Sequence, residues 1–341
     1  MASKKTNSVR KTKAKARPLQ PAVRYLRYRL TNSATPGTET SHFIDLARDL
    51  SRVNRRLYRQ GREYHVKRIS IVSTNTIAGI TNNPASLPLP GELVQQNAGF
   101  FSVSVVGSSW VANKAWHRGF RAWSNMNKAA MRKTNDIDGT WADFKVYMST
   151  TMRTAAAAGT LLQPVDNGNF AYLPGEWIYS KYVAPTAAAG VVDEYEAHML
   201  GDHSGAAGAY NSIGLIKSYG EARATVPTFD PSVPVTAPDD PLVNLFDYGD
   251  TQNELITNII GDNDLPPYDH FEYPGDDANG PKPIVVGQTS IADGSSTIGA
   301  FSALAGLLEL ETFSPIASDI YSVLVELAPG KYRGIKAGAI E

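Results

Sequence analysis

The spacing of apolar residues changes several times along the chain, and each change marks an element. Over residues 23–30, Val23, Tyr25, Tyr28 and Leu30 are interleaved with Arg24, Arg27 and Arg29, as in a strand with charged outer positions. Residues 31–41 read as a loop turning at Pro36-Gly37. Over 41–60, Phe43, Leu46, Leu50, Val53 and Leu57 recur at alternate spacings of three and four. That is the apolar stripe of an amphipathic helix, with Thr40 or Ser41 to cap it and Gly61 to end it. The period then falls to two. Tyr64 and Val66 are followed by Ile69, Ile71 and Ser73, a strand over 63–77 whose buried parity switches near Arg68, the mark of a bulge. A loop over 81–91 and a strand over 98–107 follow, the strand with Phe101, Val103 and Val105 on one face. Residues 108–133 return to helical spacing through Trp116, Phe120 and Trp123, an aromatic stripe that fits a core better than a ligand site.

Further strands are expected over 141–148, 175–182, 192–200, 210–226, 283–288, 300–312 and 318–327. In 192–200 the alternation puts Tyr195, Ala197 and Met199 inward and Glu194, Glu196 and His198 outward. Residues 150–168 carry a short alanine run and no clear period. The stretch 227–283 differs in kind: it holds ten prolines and many aspartates. Segments of this length without regular structure are usually functional or projecting. A capping box at Thr251–Glu254, then Leu255, Ile256, Ile259, Ile260 and Gly261, predicts one short helix within it.

Charge adds an axis that hydropathy does not show. The net charge is zero, yet residues 1–38 carry ten basic residues and no acid. Through Arg68 the balance is 18 basic to 4 acidic, and from residue 69 onward it is 15 to 29. A segment so charged and so poor in apolar residues cannot bury a core, and it binds polyanions with release of counterions. The candidate nucleic-acid-binding residues of this arm are Lys4, Lys5, Arg10, Lys11, Lys13, Lys15, Arg17, Arg24, Arg27 and Arg29. The polar face of the 41–60 helix adds Arg48, Arg52, Arg55, Arg56 and Arg59. The plainer alternatives are a tail folded onto its own acidic body and a solvated helix face. The run KKTNSVRKTKAKAR also resembles a nuclear-localisation signal, a pattern not separable from a nucleic-acid arm.

No cysteine is present, which excludes disulfides and thiolate metal sites. No stretch of 18 apolar residues occurs and the N-terminus lacks a signal-peptide core, so neither a membrane span nor secretion is expected. Nucleotide-binding, hydrolase-elbow and zinc-protease motifs are missing, and no catalytic residue is assigned. Two acidic groups could in principle ligate a metal. Glu194, Glu196, His198, Asp202 and His203 are one, and Asp262, Asp264, Asp269, Glu272, Asp276 and Asp277 are the other. Neither has the spacing of a known metal loop, and a solvated acidic surface accounts for both.

The arm SKKTNSVRKTKAKAR at 3–17, followed by a strand series from Glu63 to Leu327 with no catalytic motif, resembles the jelly-roll capsid proteins of small icosahedral viruses. The organisation is most similar to circular single-stranded DNA viruses of the bacilladnavirus-like group, whose capsids are related to those of small RNA viruses. The resemblance implies an all-β, eight-stranded jelly-roll sandwich with two or three helices in its connections and a disordered basic arm over 1–22. Residues 23–341 would form the shell domain, with 227–283 as an insertion or surface projection. It also implies self-assembly of many copies into a closed shell and packaging of viral nucleic acid, single-stranded DNA before RNA. The protein would reside in the virion and pass through the host nucleus during assembly. No cofactor is expected, with Ca²⁺ at subunit interfaces as the one exception considered. A nucleic-acid-binding protein that does not assemble shares the arm, and a jelly-roll enzyme or lectin with a basic tail would need a pocket of convergent polar groups.

Overall fold

A six-stranded and a four-stranded antiparallel sheet form the body, and each takes strands from both ends of the chain. The computed structural model describes residues 21–73, 99–132, 143–173, 175–185, 192–206, 209–224, 282–291 and 294–341. Its elements begin with β1 (Tyr25–Thr31), β2 (Thr40–Asp45), α1 (Leu46–Asn54), β3 (Arg62–Ser73) and β4 (Gly99–Val105). Next come α2 (Trp110–Met131), α3 (Thr150–Ala157), β5 (Lys181–Pro185), β6 (Val192–His198), β7 (Ser204–Ala206), β8 (Ala209–Gly214) and α4 (Leu215–Ala224). The C-terminal part supplies β9 (Ile284–Ile291), β10 (Ser295–Ile298), β11 (Phe301–Leu304), β12 (Leu307–Phe313) and β13 (Ile320–Leu327). It closes with β14 (Pro329–Gly330), β15 (Gly334–Ile335) and β16 (Ala337–Ala339). The described chain is mostly β, with four helices where two or three were expected.

The first body sheet runs β1-β13-β3, with β10 and β11 along the far side of β3 and β16 continuing beyond β13. The second runs β2-β12-β4-β9. Leu26, Tyr28 and Leu30 of β1, Val66, Ile69 and Ile71 of β3, and Val323 and Val325 of β13 are buried between the layers. They meet Ile44, Phe101, Val103, Leu308 and Leu310 of the second sheet. Each fully buried side chain of this size stabilises the fold by roughly 1.5–3 kcal/mol. The parity switch in β3 is present: opposite Arg68 and Val66 stand Glu326 and Leu327, so Lys67 is the extra residue. Lys67 and Arg68 are both exposed, while Val66 and Ile69 on either side are buried.

Residues 106–283 connect β4 to β9, which are neighbours in the second sheet. The described part of this connection holds α2, α3, α4 and a small sheet, β5-β6-β8-β7. A second apolar cluster fastens it to the body, with Trp116, Phe144, Val146, Met148, Met152 and Met199 packed against Phe43, Leu304 and Leu307. Ser109 caps α2 by accepting from the Ala112 amide, as the helical spacing there leads one to expect.

Several expectations are corrected. The 41–60 helix begins only at Leu46, because residues 40–45 pair with β12 and Asp45, not Ser41, caps it. It ends at Asn54 with Arg55 in the left-handed region, so Gly61 is not its cap. Residues 143–148 form no strand beyond a single parallel bridge between Tyr147 and His198. Phe144, Val146 and Met148 are buried as the alternation suggests, yet the Val146 amide donates to the Gln60 side chain and the Lys145 amide to Ser180 Oγ. Of 175–182 only the last residues join a strand, β5. The 210–226 stretch is β8 followed by α4. The 300–312 stretch is two strands, β11 in the first sheet and β12 in the second, joined by a tight turn at Ala305 and Gly306, both at positive φ. The expected helix within 251–260, the loop at 81–91, nearly all of 227–283 and the arm through residue 20 lie outside the described residues.

Candidate nucleic-acid interface

The basic residues proposed from sequence divide into three groups. Lys4, Lys5, Arg10, Lys11, Lys13, Lys15 and Arg17 lie outside the described residues. Arg24 leads into β1, and Arg27 and Arg29 project from the outer face of the first body sheet, where Arg27 Nε donates to Ser322 Oγ at 3.3 Å. The register carries that face across to Glu326 and Arg68. There Glu326 accepts from Lys67 at 2.7 Å and from Arg68 at 2.6 Å. The Lys67 ammonium, with Arg68 beside it, holds the Glu326 carboxyl below the usual carboxylate range. Lys67 and Arg68 thus extend the basic face. The bulge visible in the sequence would have found them, since it turns two consecutive residues outward.

The third group is not one surface: only Arg48 and Arg52 lie on α1, and Arg55, Arg56 and Arg59, expected on the same helix, follow its end at Asn54. Arg48 is buried, a correction to its assignment on the polar face. The connection between β4 and β9 covers that side of the helix, and Arg48 Nη2 donates to the Leu162 carbonyl. Its Nε donates to Asp49 Oδ1 at 2.7 Å, while Asp49 Oδ2 accepts from the Tyr28 hydroxyl at 2.8 Å. Arg48 is therefore spent on the fold. Arg52 is half-buried, and Arg55, Arg56 and Arg59 are exposed.

Asp45 organises the ground beneath these arginines. One carboxylate oxygen caps α1 by accepting from the Arg48 amide at 3.0 Å. The other accepts from Gln60 Nε2 at 2.8 Å, Trp177 Nε1 at 3.1 Å and the Tyr179 hydroxyl at 3.2 Å. Burial pushes the Asp45 carboxyl up, and Arg48 pulls against that shift. The same contacts fix Trp177 beside α1, and Lys145 Nζ stands 4.6 Å from its ring centroid. Trp177 and Lys145 were not singled out from the sequence. They come from separate segments that only the fold brings to α1, so no local pattern marks them.

The result is a concave strip along α1. Two cavities of about 620 and 530 Å³ meet there, sharing Arg48, Arg52 and Trp177 in their walls. The arm is rooted at its edge. Val23 N donates to Asn54 Oδ1 at 2.7 Å, Asn54 Nδ2 donates back to the Val23 carbonyl at 3.1 Å, and Arg56 Nη1 reaches the Pro21 carbonyl at 3.5 Å. These contacts join the root of the arm to Asn54 and Arg56.

The acidic group at 194–203 does not converge on a metal. Glu194 pairs with Lys181 at 2.7 Å, Glu196 with Arg153, and His203 with Glu221 at 3.1 Å. His198 is fully buried rather than outward, bonded to Ser212 Oγ at 2.6 Å and to the Asp202 carbonyl at 2.9 Å. Burial lowers its pKa to about 4. Among the described residues no group of three or more His, Asp and Glu could hold a metal ion. The aspartates and Glu272 of 262–277 lie outside the described residues. Among the described residues no helix is long and apolar enough to cross a membrane. Comparison with known proteins found no matching family model, no similar curated sequence and no similar solved structure.

Proposed function

We propose that this chain is the coat protein of a small icosahedral virus, that its two body sheets form an eight-stranded jelly roll, and that it packages single-stranded nucleic acid, DNA before RNA. The observation that carries this is the strand order. Reading β10 and β11 as one interrupted strand and leaving aside the short β16, the sheets run β1-β13-β3-β10/β11 and β2-β12-β4-β9, and the chain crosses between them at every connection from β1 to β13 except β4 to β9. This order supports the proposed double Greek key, in which sequence-distant strands become neighbours. The basic arm leads straight into β1, and seven of its charges precede the first described residue. Such an arm neutralises phosphate charge without reading sequence. On this proposal the protein resides in the virion, reaches the host nucleus for assembly, and catalyses nothing.

The test is to purify the full chain and examine it by negative-stain microscopy and sedimentation, with and without single-stranded DNA, over a range of salt and pH. Uniform closed particles are expected, and particles formed with DNA should protect it from nuclease. A protein that stays monomeric throughout, or binds DNA only as a small complex of fixed stoichiometry, would overturn the assignment in favour of a nucleic-acid-binding protein that does not assemble.

A further inference from the structure

The concave strip along α1 carries a charge that the fold does not use. Arg52 Nε and Nη1 are buried and have no hydrogen-bond partner among the described residues. Nearby carboxylates are committed elsewhere: Asp49 to Arg48 and Tyr28, Asp45 to its four donors, and Glu196 to Arg153. Glu176 stands exposed on the rim and does not reach Arg52. Burial and the neighbouring Arg48 draw the Arg52 pKa down, but a guanidinium starts so high that it stays charged at neutral pH. Two buried guanidinium nitrogens left without acceptors are costly even on a half-buried side chain, and an anion of matching geometry removes that penalty.

The walls around it suit one kind of anion. Trp177 borders both cavities and is held by its bond to Asp45, so its ring is a fixed platform. Leu173 and Ile178, on its two sides, are 87 and 72 % exposed, a display of apolar surface uncommon on a solvated loop. Arg55 and Arg56 continue the positive charge from Arg52 to the arm root at Pro21. Cations spaced along a groove with aromatic and apolar surface between them are what single strands bind, phosphates on the former and bases on the latter.

We propose that this strip is a second, ordered nucleic-acid site, in which Arg52 takes a backbone phosphate and Trp177 a base of the strand delivered by the arm. It rests on the packaging function above. The competing occupant is an acidic segment of a second copy of the chain, which would satisfy Arg52 but leave the aromatic platform without a purpose.

The test is ultraviolet cross-linking of full-length particles assembled with an iodouracil-substituted oligothymidylate, followed by peptide mapping. Cross-links are expected on the peptide holding Trp177 as well as on the arm. Arg52→Gln should lower the Trp177 cross-link about tenfold, the size of one charge-assisted contact. It should leave the arm cross-links unchanged and should not lower the melting temperature of the free protein, because Arg52 has no hydrogen bond to lose and its burial opposes the charge. Arg52→Lys should restore part of the signal. Filled particles cross-linked only through residues 1–38 would overturn this site and leave the packaging function standing. Failure to assemble or to take up nucleic acid would overturn the packaging function itself. If Arg52→Gln blocks assembly of empty particles without changing monomer stability, the occupant is a second copy and the proposal falls.

Discussion

Replacing Asp45 with alanine removes a carboxylate that serves four donors from three parts of the chain. The magnitude can be built from those contacts. Losing the helix cap costs about 1 kcal/mol. Trp177 Nε1 and the Tyr179 hydroxyl lose a buried acceptor, at about 1–3 kcal/mol each. Gln60 Nε2 loses less, because it also donates to the Val146 carbonyl at 3.1 Å. Relief of the carboxylate's own burial offsets part of this, which leaves about 4 kcal/mol, a large share of the ~5–15 kcal/mol typical of a folded protein. Asp45→Asn separates the causes. Its amide can turn its oxygen toward Trp177, Tyr179 and Gln60, but then presents its NH₂ to the Arg48 amide and gives up the cap. The loss should be about 1–2 kcal/mol. Urea unfolding followed by tryptophan fluorescence and by far-ultraviolet circular dichroism reads both values. If the two variants lose the same stability, charge and not the set of hydrogen bonds is what matters at Asp45. If both lose under about 1 kcal/mol, Asp45 does not tie Trp177 to α1 and the account of the groove floor is wrong.

Three further outcomes follow from described contacts. His198 has a folded pKa of about 4 against an ordinary 6.5, so the unfolded chain gains a proton in that window and the folded one does not. Its contribution is intact above pH 6.5 and falls on acidification, by up to about 3 kcal/mol at pH 4, so His198→Gln should flatten the stability–pH curve there; an unchanged slope refutes the burial argument. At Gly61 an added Cβ would lie 2.7 Å from Trp116 Cη2, so Gly61→Ala should lower stability by about 1–3 kcal/mol in thermal unfolding, and a neutral result would mean that the indole moves freely. Removing residues 1–20 takes away seven charges, and should reduce the slope of log K against log salt for single-stranded DNA by about 5, leaving β1 and the fold in place; an unaltered slope would show that the arm is not the binding element.

What could be read from the sequence was what is decided locally and by one buried face. The alternation in β13 and the parity switch at Lys67 and Arg68 are of that kind, because a buried face on each side of a bulge leaves an unambiguous pattern. The start of α1 was misread because Phe43 happens to fall on the helical stripe while its backbone pairs with Glu309. Only the partner strand, distant in sequence, decides between the two. The turn at Ala305 left no signal, since alanine seldom takes positive φ. Arg48 and His198 were assigned outward because charge usually is; Arg48 is covered by a segment far away in sequence, at Leu162, while His198 turns in to Asp202 and Ser212, close by in sequence but in no periodic pattern. The groove was half legible. Its arginines stand in one run, but Lys145 and Trp177 reach it through Gln60 and Asp45, residues whose importance is a property of the assembled core.

The strand order also sets a schedule for synthesis. Among the described residues, β1, β2, β3 and β4 pair with β9 to β13 and β16, and never with one another. Neither body sheet can begin to pair until the ribosome has passed residue 284, and at about 5–20 residues per second the first four strands wait several seconds or more with their edges open. The small sheet β5-β6-β8-β7 is complete by residue 214 and has no such wait. The connection between β4 and β9 can therefore mature first and serve as a platform on which the body closes. Through all of that time the basic residues ahead of β1, made before any of these strands, carry their charge to the first polyanion they meet.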